Sequence, residues 1–169
     1  MKLLDEVGDS ACSPDGKWIF YGAKDTLYRM PSEGGERTKM VSVAEQPTAI
    51  RVSPDGSQVA FSYQEGEPVP ALKLGTIAAA GGTLQFISQL PIGARGMRWA
   101  PSGKALQYRL TRNGASNIWE QPLAGGEPHQ ITHFSSGLIF SFAWSGDGKQ
   151  LLLARGNQTS DVILISNFK

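Results

Sequence analysis

The chain has 169 residues, 40% of which are hydrophobic, and a formal net charge of +1 at pH 7. This balance gives no general attraction to nucleic acid or to an anionic membrane, so we expect neither as a partner. The single cysteine excludes an internal disulfide, and no apolar run is long enough to span a bilayer. Asp5, Glu6 and Asp9 interrupt the apolar residues after Met1, so no signal peptide is predicted.

A short turn motif recurs along the chain and sets its organisation. Its copies are Ser13-Pro14-Asp15-Gly16, Ser53-Pro54-Asp55-Gly56, Pro101-Ser102-Gly103 and Ser145-Gly146-Asp147-Gly148. Proline fixes the φ of a type I turn and glycine accepts the left-handed conformation, so each copy is predicted to close a hairpin. The closing glycines are 40, 47 and 45 residues apart, a period typical of repeat architectures.

Apolar residues alternate in the strand after every turn, at the third and fifth positions past the closing glycine. These pairs are Ile19 and Tyr21, Val59 and Phe61, Leu106 and Tyr108, and Leu151 and Leu153. A period of two predicts β-strands. Glycine pairs at 34–35, 81–82 and 125–126 predict a second hairpin in the first three units. Each unit therefore consists of four antiparallel strands, A to D, which is the size of a propeller blade.

The predicted fold class is all-β, a β-propeller of four-stranded antiparallel blades with four repeats in this chain. We expect a single domain over 1–169, with blade repeats at about 8–43, 44–89, 90–134 and 135–169. The predicted strands in chain order are 9–13, 17–23, 26–31 and 38–43; 48–53, 57–63, 71–77 and 84–89; 95–100, 104–110, 117–122 and 129–134; and 140–145, 149–155 and 161–166.

A lone strand at 2–7 is spaced like a D strand and is predicted to complete the last blade. Within one chain this strand closes a four-bladed ring, whereas exchange between two chains gives a homodimer that closes an eight-bladed ring. Alternatively, residues 2–7 belong to a preceding blade of a longer parent protein. The alternatives stay open because the sequence does not set the angle between blades.

Antiparallel strands place the A–B and C–D turns on one face of such a propeller and the other connections on the opposite, loop-rich face. The longer connections predicted there are 64–70, 111–116, 156–160, 44–47, 90–94 and 135–139. Because arginine and aromatic side chains dominate interface energies, we predict that a partner binds this face. The predicted contact residues are Tyr63, Arg95, Arg112, Asn113 and Arg155.

Arg51 and Arg98 occupy equivalent positions on the innermost strands of their units. These strands line the central channel of a propeller, so both guanidinium groups are candidates for binding an anionic ligand. The alternative is an ion pair with an acidic residue on an adjacent blade, which we favour because structural ion pairs are common.

These repeats resemble the TolB-like and WD-type β-propeller family, including dipeptidyl-peptidase-type propellers. The pattern is carried by Ser13-Pro14-Asp15-Gly16-Lys17 and by Gln130-Ile131-Thr132. The later units resemble C-terminal propellers of some bacterial serine/threonine kinases through the stretches 117–126, Phe142-Ala143-Trp144-Ser145 and 161–168. The resemblance implies a non-catalytic module for protein or peptide recognition. The alternative is an accessory propeller of a receptor-like kinase or prolyl-oligopeptidase-type peptidase whose catalytic domain this chain lacks.

The sequence gives little support for three candidate functions: a serine nucleophile, a zinc site and a kinase. Gly8-Asp9-Ser10-Ala11-Cys12 half-matches a nucleophile elbow, but a strand is predicted where the elbow needs a helix. His129 and His133 have the spacing of helical zinc ligands, yet they lie in a predicted strand. The kinase motifs are missing. We therefore expect no catalytic residues, no metal and no cofactor.

Overall fold

A computed structural model describes residues 7–159 of the chain, and these residues form four antiparallel sheets. Consecutive strands are neighbours in every sheet, as hairpin connections require. No helix of the kind that crosses a bilayer occurs among these residues. The strands are β1 (Ser10–Cys12), β2 (Trp18–Ala23), β3 (Thr26–Pro31) and β4 (Thr38–Ser42); β5 (Thr48–Val52), β6 (Gln58–Glu65), β7 (Ala71–Ala78) and β8 (Gln85–Gln89); β9 (Arg95–Trp99), β10 (Ala105–Arg112), β11 (Ala115–Pro122) and β12 (His129–Gln130); and β13 (Leu138–Trp144) and β14 (Leu151–Gly156).

The four sheets are the blades of a β-propeller, which confirms the predicted fold class. Blades 1, 2 and 3 are β1–β4, β5–β8 and β9–β12, and blade 4 contributes β13 and β14 within the described residues. The innermost strands β1, β5 and β9 contact one another in sequence, so successive blades stand side by side. The predicted strands at 161–166 and 2–7 fall outside the described residues, apart from Val7.

The recurring turn has the predicted geometry. The closing glycines Gly16, Gly56, Gly103 and Gly148 all have φ between 66° and 75°. In the second copy, Ser53 Oγ donates to Asp55 Oδ1 at 2.6 Å and accepts from the Gln58 amide at 2.9 Å. The same carboxylate oxygen accepts the Ser57 amide at 3.0 Å. The first and fourth copies repeat this network, so the serine and aspartate of the motif satisfy backbone donors that the turn leaves free.

Packing between blades follows one rule that comes from the strand period. The side chain five residues after the closing glycine faces the preceding blade, as Phe61 does against blade 1 and Tyr108 against blade 2. The side chain four residues after the glycine faces the following blade, as Phe20 does. The core is therefore a series of layers between neighbouring sheets, and a single blade buries little by itself.

Two tryptophans connect neighbouring blades through their indole nitrogens. Trp99 Nε1 donates to the Arg51 carbonyl oxygen at 2.9 Å, and Trp144 Nε1 donates to Gln107 Oε1 at 2.7 Å. Trp99 is buried, whereas Trp144 is half-buried. Each indole thus packs on the preceding blade and satisfies its polar atom there.

One predicted connection differs from the structure. The sequence predicts a longer loop at 111–116, whereas β10 and β11 extend to a two-residue turn at Asn113 and Gly114. Both residues have positive φ, at 50° and 78°. Asn-Gly is a preferred sequence for a type I′ turn, and its twist matches that of the strands, so the hairpin closes tightly.

The connection from blade 1 to blade 2, which contains Pro47, packs closely against β2 at Gly22. A Cβ at this buried position would overlap the Pro47 carbonyl oxygen, which cannot move without shifting the crossing. We expect Gly22→Ala to lower the free energy of unfolding by about 2 kcal/mol or more. Urea denaturation measures this, with Gly146→Ala as control because a Cβ there has open space. Equal stability of the two variants would contradict this close approach.

The turn network also predicts a dependence of stability on pH. Hydrogen bonds from Ser53 and from Ser57 lower the pKa of Asp55 from 3.8 to about 2. Because the folded-state pKa is depressed, the stabilisation by this carboxylate is present above about pH 4 and is lost as the pH falls through about 2. We expect Asp55→Asn to lower the urea midpoint at neutral pH, with the difference from wild type shrinking towards pH 2. A pH-independent difference, or the same effect in the control Glu36→Gln, would contradict this assignment.

Candidate functional site

The arginines that the sequence singled out are concentrated in blades 3 and 4. Arg95 begins β9, Arg112 ends β10 and Arg155 lies near the end of β14, so all three are at the loop-rich face. Arg98 lies further along β9. All four side chains are exposed. We call Arg95, Arg98, Arg112 and Arg155 the arginine group.

Each member of the arginine group is held by a neighbouring ring or carbonyl. The guanidinium carbon lies 4.9 Å from the ring centre of Trp119 for Arg112, 3.7 Å from Phe134 for Arg155, and 5.8 Å from Phe142 for Arg98. Arg95 Nη1 donates to the Ala94 carbonyl oxygen at 2.9 Å. Such contacts stabilise the cation and restrict its rotamers, so less entropy is lost when a partner binds.

Carboxylates are scarce around the arginine group. No member forms an ion pair within residues 7–159, where the ion-paired Lys and Arg residues are Lys17, Arg51 and Lys73. The acidic residues between 90 and 159 are Glu120, Glu127 and Asp147. Glu127 follows a Gly-Gly turn and Asp147 lies in the recurring turn, so both are on the opposite face. Glu120 lies on β11 and accepts a hydrogen bond from the Gln107 side chain. Within residues 90–159, the loop-rich face of blades 3 and 4 therefore has an excess of positive charge.

Arg51 differs from the arginine group because its contacts are internal. Its Nη1 lies 3.4 Å from Asp9 Oδ2 in blade 1, and its Nε donates to the Met97 carbonyl oxygen in blade 3 at 3.1 Å. This is the ion pair with an adjacent blade that the sequence favoured. Arg51 thus joins three blades around the channel, whereas its equivalent Arg98 has an aromatic neighbour instead.

The two remaining predicted contact residues have different surroundings. Tyr63 is only 5% exposed and packs beside Phe61 in the core between blades 1 and 2. Burial raises the pKa of the Tyr63 hydroxyl. Asn113 is exposed at the tip of the β10–β11 turn. A role for either side chain in partner binding stays a prediction.

The aromatic residues that hold the arginines were not assigned to the site by the sequence. Trp119 lies on β11 in the same hairpin as Arg112, but its cross-strand partner is Tyr108 and that of Arg112 is Ala115, so the register alone does not indicate the contact. Phe134 and Arg155 belong to different blades, as do Phe142 and Arg98. No sequence signal reports such contacts, because they depend on the angle between sheets.

The candidate catalytic and metal residues do not form a reactive site within residues 7–159. Ser10 pairs with Tyr21 in the β1–β2 ladder and is not on the strand-to-helix turn that a nucleophile elbow needs. His129 lies on β12, with Nε2 3.6 Å from Glu120 Oε1. No cluster of three potential metal ligands occurs in this part of the chain.

Comparison with known proteins finds similarity to parts of larger proteins. No protein-family model matches the chain. An uncharacterized protein of Agrobacterium fabrum is 27% identical over 125 residues, which are 72% of this chain and 41% of that protein. Tricorn protease homolog 1 of Streptomyces coelicolor is 27% identical over 107 residues, which are 63% of this chain and 9% of that protein. The chain thus spans less than half the length of either relative.

Solved structures share the fold. TolB of Acinetobacter baumannii superimposes with a TM-score of 0.70 at 21% identity, over 93% of this chain and 39% of that one. The β-propeller domain of the trilobed protease of Pyrococcus furiosus gives 0.55 at 18% identity, over 78% and 44%. A gluconolactonase of Xanthomonas campestris gives 0.61 at 15% identity, over 87% and 55%. The structural neighbours are thus TolB-like and other β-propellers, and they include enzymes.

Proposed function

We propose that this chain is a non-catalytic propeller module that recognises an acidic segment of a protein or peptide through the loop-rich face of blades 3 and 4. The arginine group carries this proposal, because its exposed guanidinium groups are held in place without a carboxylate partner among residues 7–159. Arginine pairs with carboxylates through two parallel hydrogen bonds, and restricted side chains bind at a lower entropic cost.

A second candidate function is an accessory propeller of a larger enzyme. It is supported by the similarity to a tricorn protease homolog, to the trilobed protease and to a prolyl endopeptidase, each matched over a minor part of its length. The relation to kinase-associated propellers is supported by sequence stretches alone. Sequencing the locus on both sides of the reading frame tests this candidate, and an in-frame catalytic domain is the result that would favour it.

The tests of the recognition proposal use a fluorescent octaglutamate peptide as probe and anisotropy as readout. We expect the triple variant Arg95→Glu, Arg112→Glu and Arg155→Glu to weaken binding by a factor of ten or more, because attraction becomes repulsion. The control replaces Lys17, Lys104 and Lys149 with glutamate, since these exposed lysines follow the closing glycines on the opposite face. An equal loss in the control would mean that only net charge matters and would contradict the proposed surface.

We also propose that residues 1–169 form one domain whose ring is closed by a second copy of the chain. Leu152 is the counterpart of Phe20, Ala60 and Gln107, which are buried at interfaces with the next blade. Leu152 is 56% exposed and Phe140 is 49% exposed, so no part of residues 7–159 covers the face of blade 4 that points away from blade 3. In the closed form, strand 2–7 completes blade 4 and eight blades form the ring.

The oligomeric state tests ring closure. We expect the wild type to be a dimer by sedimentation equilibrium and Leu152→Glu to be a monomer, because a buried charge at the contact is unfavourable. Deleting residues 1–7 should have the same effect. Ile92→Glu is the control, because Ile92 is fully exposed in the connection between blades 2 and 3, outside the proposed contact. This variant should stay dimeric. A monomeric wild type at its highest soluble concentration would contradict closure by a second copy.

A further inference from the structure

A pocket of about 360 Å³ opens between blades 2 and 3 at the loop-rich face. It is bordered by the beginnings of the innermost strands β5 and β9 and by parts of β6, β7 and β10. The size is at the lower end of the range for small-molecule sites and suits one bulky side chain or a small organic molecule. The recognition proposal uses Arg95 at the edge of this pocket but assigns no role to the cavity itself.

Two β-bulges form one side of the pocket. The pairing of β5 with β6 shifts register between Thr48 and Arg51, and that of β9 with β10 shifts between Gln107 and Arg109. Ala49 and Gly96 lie at these bulges, line the pocket and have positive φ, at 51° and 68°. A left-handed conformation is unfavourable for alanine, and such strain is concentrated at binding sites.

The walls of the pocket are apolar, with a few polar groups. Leu72, Leu90 and Met97 supply apolar surface, and the last two are buried in the core between blades 2 and 3. Tyr108 also lines the pocket and is 1% exposed, yet its hydroxyl forms no hydrogen bond within residues 7–159. Burial raises the pKa of this hydroxyl, which therefore stays protonated and available as a donor. The hydroxyl is not sealed from solvent, so it is a donor at the pocket wall that a ligand or water can use.

Of the three charged side chains at the pocket, two are paired with each other and one is available to bind a ligand. Arg51 and Asp9 are bound to each other, and the Arg51 guanidinium also donates to two carbonyl oxygens. Arg95 lines the same pocket, is exposed, and has only the Ala94 carbonyl oxygen as hydrogen-bond acceptor within residues 7–159. One available cation beside an apolar cavity matches an anion that carries an apolar group.

We infer that this pocket binds a carboxylate bearing a short apolar group, with the apolar group against Leu72, Leu90 and Met97 and the carboxylate at Arg95. The inference rests on the proposed recognition function, because the C-terminal residue of a peptide partner is one source of this chemistry. The other source is a free carboxylic acid. Both sources present the same group to Arg95, and the Tyr108 hydroxyl donates to the same ligand.

Methyl-directed NMR titration of the full chain tests the inference with N-acetyl-leucine as probe. We expect a Kd on the order of 1 mM, with shifts at Leu72, Leu90 and Met97, since small ligands of this size bind weakly. N-acetyl-leucine amide lacks the carboxylate and acetate lacks the apolar group, so both should bind at least about tenfold more weakly. No binding of N-acetyl-leucine at about ten times that concentration would overturn the inference.

Variants assign the contacts. Arg95→Gln should weaken N-acetyl-leucine binding about tenfold and Tyr108→Phe about fivefold, whereas Arg112→Gln should leave it unchanged because Arg112 does not line the pocket. Gln64→Trp places a large ring at the exposed edge of the pocket and should abolish N-acetyl-leucine binding without changing any charge. Unchanged binding in Gln64→Trp or Arg95→Gln would overturn the assigned site.

The octaglutamate probe separates this inference from the recognition proposal. Loss of octaglutamate binding in the arginine variant, together with no binding of N-acetyl-leucine by the wild type, would overturn the pocket alone. A peptide ending in a free leucine that binds more tightly than N-acetyl-leucine identifies a peptide terminus as the source. Equal affinities identify the free acid.

Discussion

Packing between successive blades is the interaction on which the rest of the structure depends. A four-stranded sheet of this size has two apolar faces and cannot bury either alone. Phe61 is buried only because blade 1 stands against it, and Tyr108 only because blade 2 does. The indole hydrogen bonds of Trp99 and Trp144 add one directional contact to each of two interfaces. These contacts hold the sheets at a defined spacing.

That spacing places the features of the loop-rich face. Phe134 reaches the Arg155 guanidinium, and Phe142 lies near Arg98, because blades 3 and 4 are close neighbours. The turn face, in contrast, is formed by local hydrogen bonds that repeat in blades 1, 2 and 4. The turn face is rigid and repetitive, and the opposite face carries varied side chains. A repeat scaffold in this way separates the residues that stabilise it from those that bind a partner.

The pocket between blades 2 and 3 comes from departures from that regularity. A bulge adds a residue to one strand of a pair and bends it, which opens space at the beginning of β5 and β9. Ala49 adopts a conformation that glycine adopts more easily, as Gly96 does at the equivalent place. The hydrogen-bonded ladders on either side of the bulge fix the strand and offset the conformational free energy that the positive φ of Ala49 costs.

The sequence by itself determined the strand order within residues 7–159, the recurring turns and the propeller, because hairpin chemistry and a period of two are local properties that recur in every unit. It also indicated the Arg51 ion pair and the concentration of arginines in the later blades. The longer loop predicted at 111–116 was wrong, because Asn113 and Gly114 close a two-residue turn there. The strand predicted at 129–134 is shorter in the structure, where β12 spans only His129–Gln130. Only the tertiary structure revealed the rings that hold the arginines, the burial of Tyr63 and the pocket beside Tyr108. Apart from the contact of Arg112 with Trp119 inside blade 3, these features depend on the distance and angle between sheets, which no residue pattern within one blade encodes.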